Sequence, residues 1–233
     1  VGHLVQFIEK IVGELEPQGE QLTLADHGAG KSYLGFILYD LLLKAQGSGA
    51  VYGIETRPEL VDRSRALAER LGFERMRFLN IAAADAAHDS ALPERFDIVT
   101  ALHACDTATD DAIAFGLAKK AQAMVLVPCC QAELAAGLRQ SKALQLSRTP
   151  LAELWRHPLH TREMGSQLTN VLRCLYLESQ GYSVTVTELV GSRHTGQKKR
   201  SAGERLGALL DQFGLQALLP VRYPALVAAG DAL

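Results

Sequence analysis

The segment Leu22-Thr23-Leu24-Ala25-Asp26-His27-Gly28-Ala29-Gly30-Lys31-Ser32-Tyr33-Leu34 constrains the fold more than any other stretch of the chain. An apolar run ends in a carboxylate, two glycines alternate, and an apolar helical pattern follows, which predicts a strand, a tight loop and a helix. Glycine at 28 and 30 lets the backbone take positive φ and approach a ligand with no Cβ in the way. The helix after the loop offers unpaired N–H groups and the positive end of its dipole. Such a loop suits a nucleotide-like ligand.

Two chemistries compete for it. A phosphate cradle of the Gly-x-x-x-x-Gly-Lys-Ser type needs glycine at 25, where the chain has Ala25 followed by Asp26, a carboxylate that would repel triphosphate. A P-loop-like nucleotide binder is therefore the remote alternative. Asp-x-Gly-x-Gly, an acid at a strand tip facing a cationic and hydroxylated ligand, describes a site for S-adenosylmethionine. A second strand over 50–55 again ends in an acid, Glu55, about 25 residues beyond Gly30. That is near the spacing at which a carboxylate meets a nucleotide's ribose hydroxyls in a βαβ unit. The dinucleotide fingerprint Gly-x-Gly-x-x-Gly fails because position 33 is Tyr33. The alternative for Glu55 is a solvated carboxylate at a strand end.

Composition bounds the reading. A chain of 233 residues with 48% hydrophobic content can build one large α/β domain, here expected over 20–233 with a helix in 1–19 packed on it. Twenty-four Lys and Arg against 26 Asp and Glu give a formal charge of −2, so any nucleic-acid surface must be local. No apolar run approaches the ~20 residues that span a membrane, and no signal-peptide pattern opens the chain, so the expected compartment is the cytoplasm. The four cysteines, Cys105, Cys129, Cys130 and Cys174, lack paired metal spacing and are expected as reduced thiols, with no metal site.

In chain order, residues 3–15 predict an amphipathic helix, 31–45 a helix after the glycine loop, and 58–71 a helix opened by Pro58. A third strand is expected over 75–81, followed by a loop holding Ala84 and Asp85, a small residue and an acid suited to admitting adenine and accepting from its exocyclic amine. A fourth strand over 96–102 runs through Leu102 into His103-Ala104-Cys105-Asp106-Thr107-Ala108-Thr109-Asp110-Asp111, where polar and reactive types concentrate. Asp106, Thr107 or Thr109 can equally cap the next helix. A fifth strand over 123–127 is closed by Pro128-Cys129-Cys130. Helical patterns cover 131–144, 162–180 and 201–213, with a loop-like stretch at 155–160. Late strands are expected over 182–190 and 215–219. The one basic cluster contains Arg193, His194, Lys198, Lys199 and Arg200.

Five strands alternating with helices, acids at the first two tips and a reactive loop after the fourth resemble the class I S-adenosylmethionine-dependent methyltransferase fold over about residues 20–190. More narrowly, Gly28-Ala29-Gly30-Lys31-Ser32-Tyr33-Leu34, the His103 to Asp110 segment and Pro128-Cys129-Cys130 resemble a methyltransferase family that includes the eukaryotic tRNA 2′-O-methyltransferase. That family's late Glu-His-Thr-Pro-Lys-Asn segment is matched in part, as Arg193-His194-Thr195-Gly196-Gln197-Lys198. The resemblance implies a Rossmann-like α/β sheet, mostly parallel, with helices on both faces and strand order 3-2-1-4-5-7-6. It implies S-adenosylmethionine held by Asp26, Gly28, Ala29, Gly30, Tyr33, Glu55, Ala84, Asp85, Leu102 and His103, and RNA as the acceptor. Acceptors of protein or small-molecule type, and a non-catalytic cofactor-binding module, are the alternatives.

Methyl transfer is an in-line displacement at a sulfonium, so the residues needed are those that align the nucleophile and remove its proton. His103 is the candidate base, with a backbone-bonded imidazole shaping the loop as the alternative, and Asp106 is its candidate orienter. Cys105 and Cys129 are either small packed hydrophobes or thiolate nucleophiles of the cytosine C5 type. A zinc site from His103, Cys105, Cys129 and Cys130 is compositionally possible but geometrically awkward. Arg193, His194, Lys198, Lys199 and Arg200 follow the late strand and are the candidate RNA contacts.

Overall fold

A computed structural model describes residues 2–15, 21–129, 131–140, 154, 157–187 and 199–228. The chain divides into two compact units, Val1–Cys129 and Cys130–Leu233. The first holds five strands, β1 Thr23–His27, β2 Ala50–Glu55, β3 Met76–Asn80, β4 Ile98–Leu102 and β5 Ala123–Val127. All are parallel and stand in the order β3-β2-β1-β4-β5. This is a class I methyltransferase Rossmann-like sheet, with β1 and β4 adjacent where the strand order reverses. Neighbouring strands on opposite sides of that point leave a crevice outside their carboxyl ends, where such sheets bind ligands.

Parallel strands covered on both faces read as continuous apolar runs, and these do. Leu24, Val51 and Phe78 pack on one face with Leu4, Val5 and Ile8 of α1 (Gly2–Glu14), Leu34 and Leu38 of α2 (Tyr33–Leu38) and Val61 of α3 (Pro58–Leu71). Ala25, Tyr52, Ile54 and Val99 pack on the other with Ala86 of the short α4 (Ala83–Ala86) and Phe115 of α5 (Ala108–Ala118). The stretch after β3, expected as a loop, therefore carries one helical turn. The helix expected over 31–45 begins at Tyr33 and widens into a π-helical turn at Tyr39–Leu43, with Lys44 N–H donating to the Tyr39 carbonyl at 2.9 Å. The Leu43 carbonyl accepts from Arg75 Nη2 at 3.0 Å.

In the second unit α6 (Glu133–Gln140), α7 (Pro158–Ser179) and α8 (Lys199–Gln212) pack together. Helix α7 starts four residues before the expected 162 because Pro158 sits in its first turn, where a missing N–H costs nothing. Seven strands were expected and five are present among the described residues. Residues 182–187 carry no regular secondary structure, and 188–190 lie outside the described residues. The strand expected over 215–219 is a 3-10 turn, Gln216–Leu218, leading into helix α9, Leu219–Arg222, with proline in its first turn. A short apolar run does not distinguish strand from helix, and Pro220 decides it. Helix α10, Pro224–Ala228, follows. Among the described residues no helix is long and apolar enough to cross a membrane.

The α6–α7 contact rests on Gly165. A Cβ there would lie 2.7 Å from Ala135 Cβ and 2.8 Å from its backbone nitrogen, with backbone on one side unable to yield. Gly165→Ala is therefore expected to destabilise the protein by about 1–3 kcal/mol, the overpacking cost outweighing the ~1 kcal/mol that alanine gains over glycine in a helix. Urea unfolding midpoints measure it; a more stable variant would mean the two helices do not meet at this glycine.

Candidate active site

Both acids expected at the strand tips are in place, but they do different work. Asp26 is 2% exposed and lies beneath the glycine loop. Its Oδ2 accepts from Ser32 Oγ at 2.8 Å and its Oδ1 from Thr100 Oγ1 at 3.2 Å, so it ties β1 to the start of α2 and to β4. Burial pushes its pKa up to about 6, against the lowering effect of the Ser32 and Thr100 hydroxyls and the Gly35 N–H. A Cβ on Gly35 would sit 2.5 Å from Ser32 Oγ and 3.2 Å from Asp26 Oδ2, so a bare backbone is needed for the helix to come down on this pair.

Glu55 closes the loop from the other side. Its Oε2 accepts from the Gly30 N–H at 2.7 Å and from Arg57 Nη2 at 3.1 Å. Its Oε1 accepts from Arg57 N and Nε, both at 3.0 Å, and from Thr56 Oγ1 at 3.2 Å. Burial alone would raise its pKa, but the Arg57 guanidinium and N–H and the Gly30 N–H outweigh it and hold the carboxyl at about 2. The carboxylate is ionised throughout the physiological range and aimed at the loop. Asn80 Nδ2 donates to the Glu55 carbonyl at 3.1 Å, fixing the strand end.

Between the acids the loop turns as the sequence requires. Gly28 and Gly30 have φ of 66° and 59°, and a Cβ on Gly28 would meet nothing, so conformation rather than crowding demands glycine there. Ala29 N–H donates to the Ile54 carbonyl at 3.0 Å, and Ser32, itself at φ 51°, donates its N–H to the Ala29 carbonyl at 2.6 Å. Tyr33 is 63% exposed, with Lys31 Nζ 5.9 Å from its ring centroid. His27 points to the opposite face of β1 from Asp26, 2% exposed and 5.2 Å from the Phe115 ring, with neither ring nitrogen hydrogen-bonded. Burial lowers its pKa to about 4, so the imidazole is neutral at pH 7.

At the tip of β4 the chain is bent twice into the left-handed region, at His103 (φ 57°) and Asp106 (φ 51°). Non-glycine residues held there cost of order 1–3 kcal/mol and gather at functional sites. His103 is exposed, and its N–H donates to the Val127 carbonyl at 3.0 Å, continuing the β4–β5 ladder one residue past Leu102. Cys105 and Cys129 are exposed as well, so neither serves as a packed hydrophobe, and their sulfurs lie 2.9 Å apart. Thr107 makes no side-chain capping bond, and Thr109 Oγ1 donates back to the Ala104 carbonyl at 2.6 Å. Asp85 is exposed on α4, which follows β3 in the chain, and Ala84 lies in the same turn.

The first unit thus carries Asp26, Gly28, Ala29, Gly30, Tyr33, Glu55, Ala84, Asp85, Leu102, His103, Cys105, Asp106 and Cys129 on or just beyond the carboxyl ends of β1 to β5. Lys199 and Arg200 begin α8 in the second unit, while Cys130, Arg193, His194 and Lys198 lie outside the described residues. Among the described residues no three metal-ligating side chains converge. Sequence reasoning missed Ser32, Thr100 and Arg57. The first two had a signal in retrospect, since a carboxylate pointing into a covered parallel sheet needs hydroxyl or N–H donors within reach.

A family model described as a methyltransferase domain matches residues 1–137. No protein of curated function matches the chain. Among solved structures, an S-adenosylmethionine-dependent methyltransferase from Aquifex aeolicus is similar at 21% identity and a TM-score of 0.34, over 48% of this chain and 57% of that one. An rRNA methylase from Streptococcus thermophilus is similar at 14% identity and a TM-score of 0.38, over 49% of this chain and 63% of that one. The match spans less than two thirds of either of those chains.

Proposed function

The chain belongs to the methyltransferase-domain family whose model covers residues 1–137, and from that premise we propose that it transfers the methyl group of S-adenosylmethionine to RNA. One observation carries the donor half of the reading: Glu55, ionised at the tip of β2, receives the N–H of Gly30 at 2.7 Å, so acid and glycine loop form one rigid edge. When bound, S-adenosylmethionine supplies an electrophilic methyl group on a sulfonium. The chain's residues fit such a ligand, with an acceptor-only carboxylate for ribose hydroxyls, a turn without Cβ atoms and a second acid on α4 for an amine.

Glu55 already accepts from five donors, about as many as two carboxylate oxygens hold, and three of them belong to Arg57. Glu55 would therefore hold ribose hydroxyls in place of the Arg57 side chain, whose far end is mostly exposed and free to move into water. Gly30 keeps its bond throughout. His103 takes the proton of the acceptor group, held at its exposed turn by the Val127 carbonyl. Arg193, Lys198, Lys199 and Arg200 hold acceptor phosphates, a reading that rests on the sequence cluster and the chain's overall charge of −2, which leaves little non-specific affinity.

The test has two arms. Calorimetry should find binding of S-adenosylmethionine and S-adenosylhomocysteine, and magnesium-dependent ATP or GTP binding that requires Lys31 instead would overturn the donor reading. Labelled methyl donor incubated with separate RNA, protein and metabolite pools should mark the RNA. Changing Lys198, Lys199 and Arg200 together to alanine should flatten the slope of log affinity against log salt by about two units, at about 0.7 per phosphate on single strands. Label in another pool, or an unchanged slope, makes a protein or metabolite the acceptor. Donor binding with no pool labelled makes the chain a binding module.

A further inference from the structure

The cysteines at the ends of β4 and β5 have a chemistry that methyl transfer does not use. Leu102 and Val127 are register partners, and the ladder continues through the His103 N–H to the Val127 carbonyl at 3.0 Å. Cys105 follows three residues beyond Leu102 and Cys129 two beyond Val127. Adjacent strands stand about 4.8 Å apart, inside the range of Cα separations a disulfide spans. The two sulfurs are 2.9 Å from each other, and Cys105 Sγ also lies 3.6 Å from the His103 carbonyl. Both residues are exposed, so a small oxidant reaches them without unfolding. Cys174, by contrast, sits on α7 in the second unit, half-buried.

We propose that Cys105 and Cys129 are a redox-active dithiol that closes to an intramolecular disulfide under hydrogen peroxide, fastening the turn after β4 to the chain after β5. One thiolate attacks a peroxide oxygen, breaking the O–O bond to give a sulfenic acid, with the leaving oxygen protonated to water. The second thiol attacks that sulfur, the S–O bond breaks, and a second water departs. Both cysteines are oxidised by one electron each and one peroxide is reduced. A small thiol reverses the bond by exchange. Because the bridge reaches across the His103 turn, the oxidised protein holds His103 and Asp106 fixed at their left-handed backbone angles. The inference rests on β4–β5 geometry and stands whether or not the donor reading does.

The experiment treats the reduced, full chain with hydrogen peroxide, alkylates the remaining thiols and maps peptides by mass spectrometry. The expected result is the loss of two hydrogens and of two alkylatable thiols per chain, with one cross-linked peptide pair joining Cys105 to Cys129, restored by dithiothreitol. Cys105→Ser and Cys129→Ser should each abolish the link, and Cys174→Ser should keep it. Phenylarsine oxide, which needs two sulfurs, should protect both cysteines of the wild type from alkylation and neither serine variant. This second readout needs no oxidation, and it checks the pair in the wild type even if a variant fails to fold. A link between Cys129 and Cys130, oxidation that stops at sulfinic acid, or alkylation of both thiols undiminished by either reagent would overturn the proposal.

Discussion

Glu55→Ala is expected to weaken binding of the methyl donor by about 1.5–3 kcal/mol, the worth of hydrogen bonds to a charged group, which is roughly ten- to a hundredfold or more in Kd. The upper end is expected because the change removes two things at once. The ribose hydroxyls would lose their acceptor, and the Arg57 guanidinium, displaced toward water, would lose the carboxylate that offsets its charge near a cationic ligand. The strand itself should survive, since Asn80 holds the Glu55 carbonyl rather than its side chain. Calorimetry with S-adenosylhomocysteine separates the two contributions, because that product lacks the sulfonium charge and should suffer less from the unpaired arginine. An unchanged Kd for both ligands in a folded variant would leave Glu55 as a brace for the loop and nothing more.

His27→Leu changes how stability depends on acidity. In the unfolded chain this imidazole protonates near pH 6.5, whereas in the fold burial defers protonation to about pH 4. Between those values the unfolded state binds a proton that the native state refuses, so native stability falls as pH falls, by about 3 kcal/mol across the window. Asp26 has the opposite sign. Its native pKa of about 6 lies above the ordinary aspartate value of 3.8, so the native state takes up a proton first and gains about 3 kcal/mol as pH drops from 6 to 4. In the wild type the two nearly cancel. Leucine fills a similar space against Phe115 without orphaned nitrogens and leaves the Asp26 effect uncovered. The variant is expected to exceed wild-type stability at pH 7 and to widen that margin by about 3 kcal/mol at pH 4. Denaturant unfolding at the two pH values measures the margin; an equal margin at both would mean that His27 charges as readily in the fold as out of it.

The sheet was legible because its strands are covered on both faces: Leu24 and Ala25 face opposite ways, yet both must be apolar. The acids at the tips and the glycine turn were legible for the same reason, since little else explains a carboxylate that ends such a run. What escaped was the partnership of each acid. Arg57 is a charged residue in a connecting segment, with no periodicity to mark it, and only the fold of β2 back toward the loop makes it a clamp. The cysteines were legible as candidates, nucleophile or zinc ligand, but their contact with each other was not. Their residue type argues for burial, and their meeting depends on β4 and β5 being neighbours across 20 intervening residues of helix and turn, which no local pattern encodes. The tail misled because a run such as Leu215 to Leu219 is too short for a period to show.

The widened turn at Tyr39–Leu43 bears on how the chain's length can vary. A turn closed by a bond from residue 44 to residue 39 holds one residue more than an ordinary α-turn, and that surplus is taken up by Leu41, which is 56% exposed, while Tyr39 and Leu43 stay inside. Dropping a single residue there restores the α-helical bond pattern without moving either buried neighbour to the outside. The following strand, which starts at Ala50, keeps its registration against Thr23. Between the glycine loop and Glu55, then, a one-residue deletion at this turn is expected to be absorbed within the helix, leaving the spacing of loop and carboxylate in space untouched.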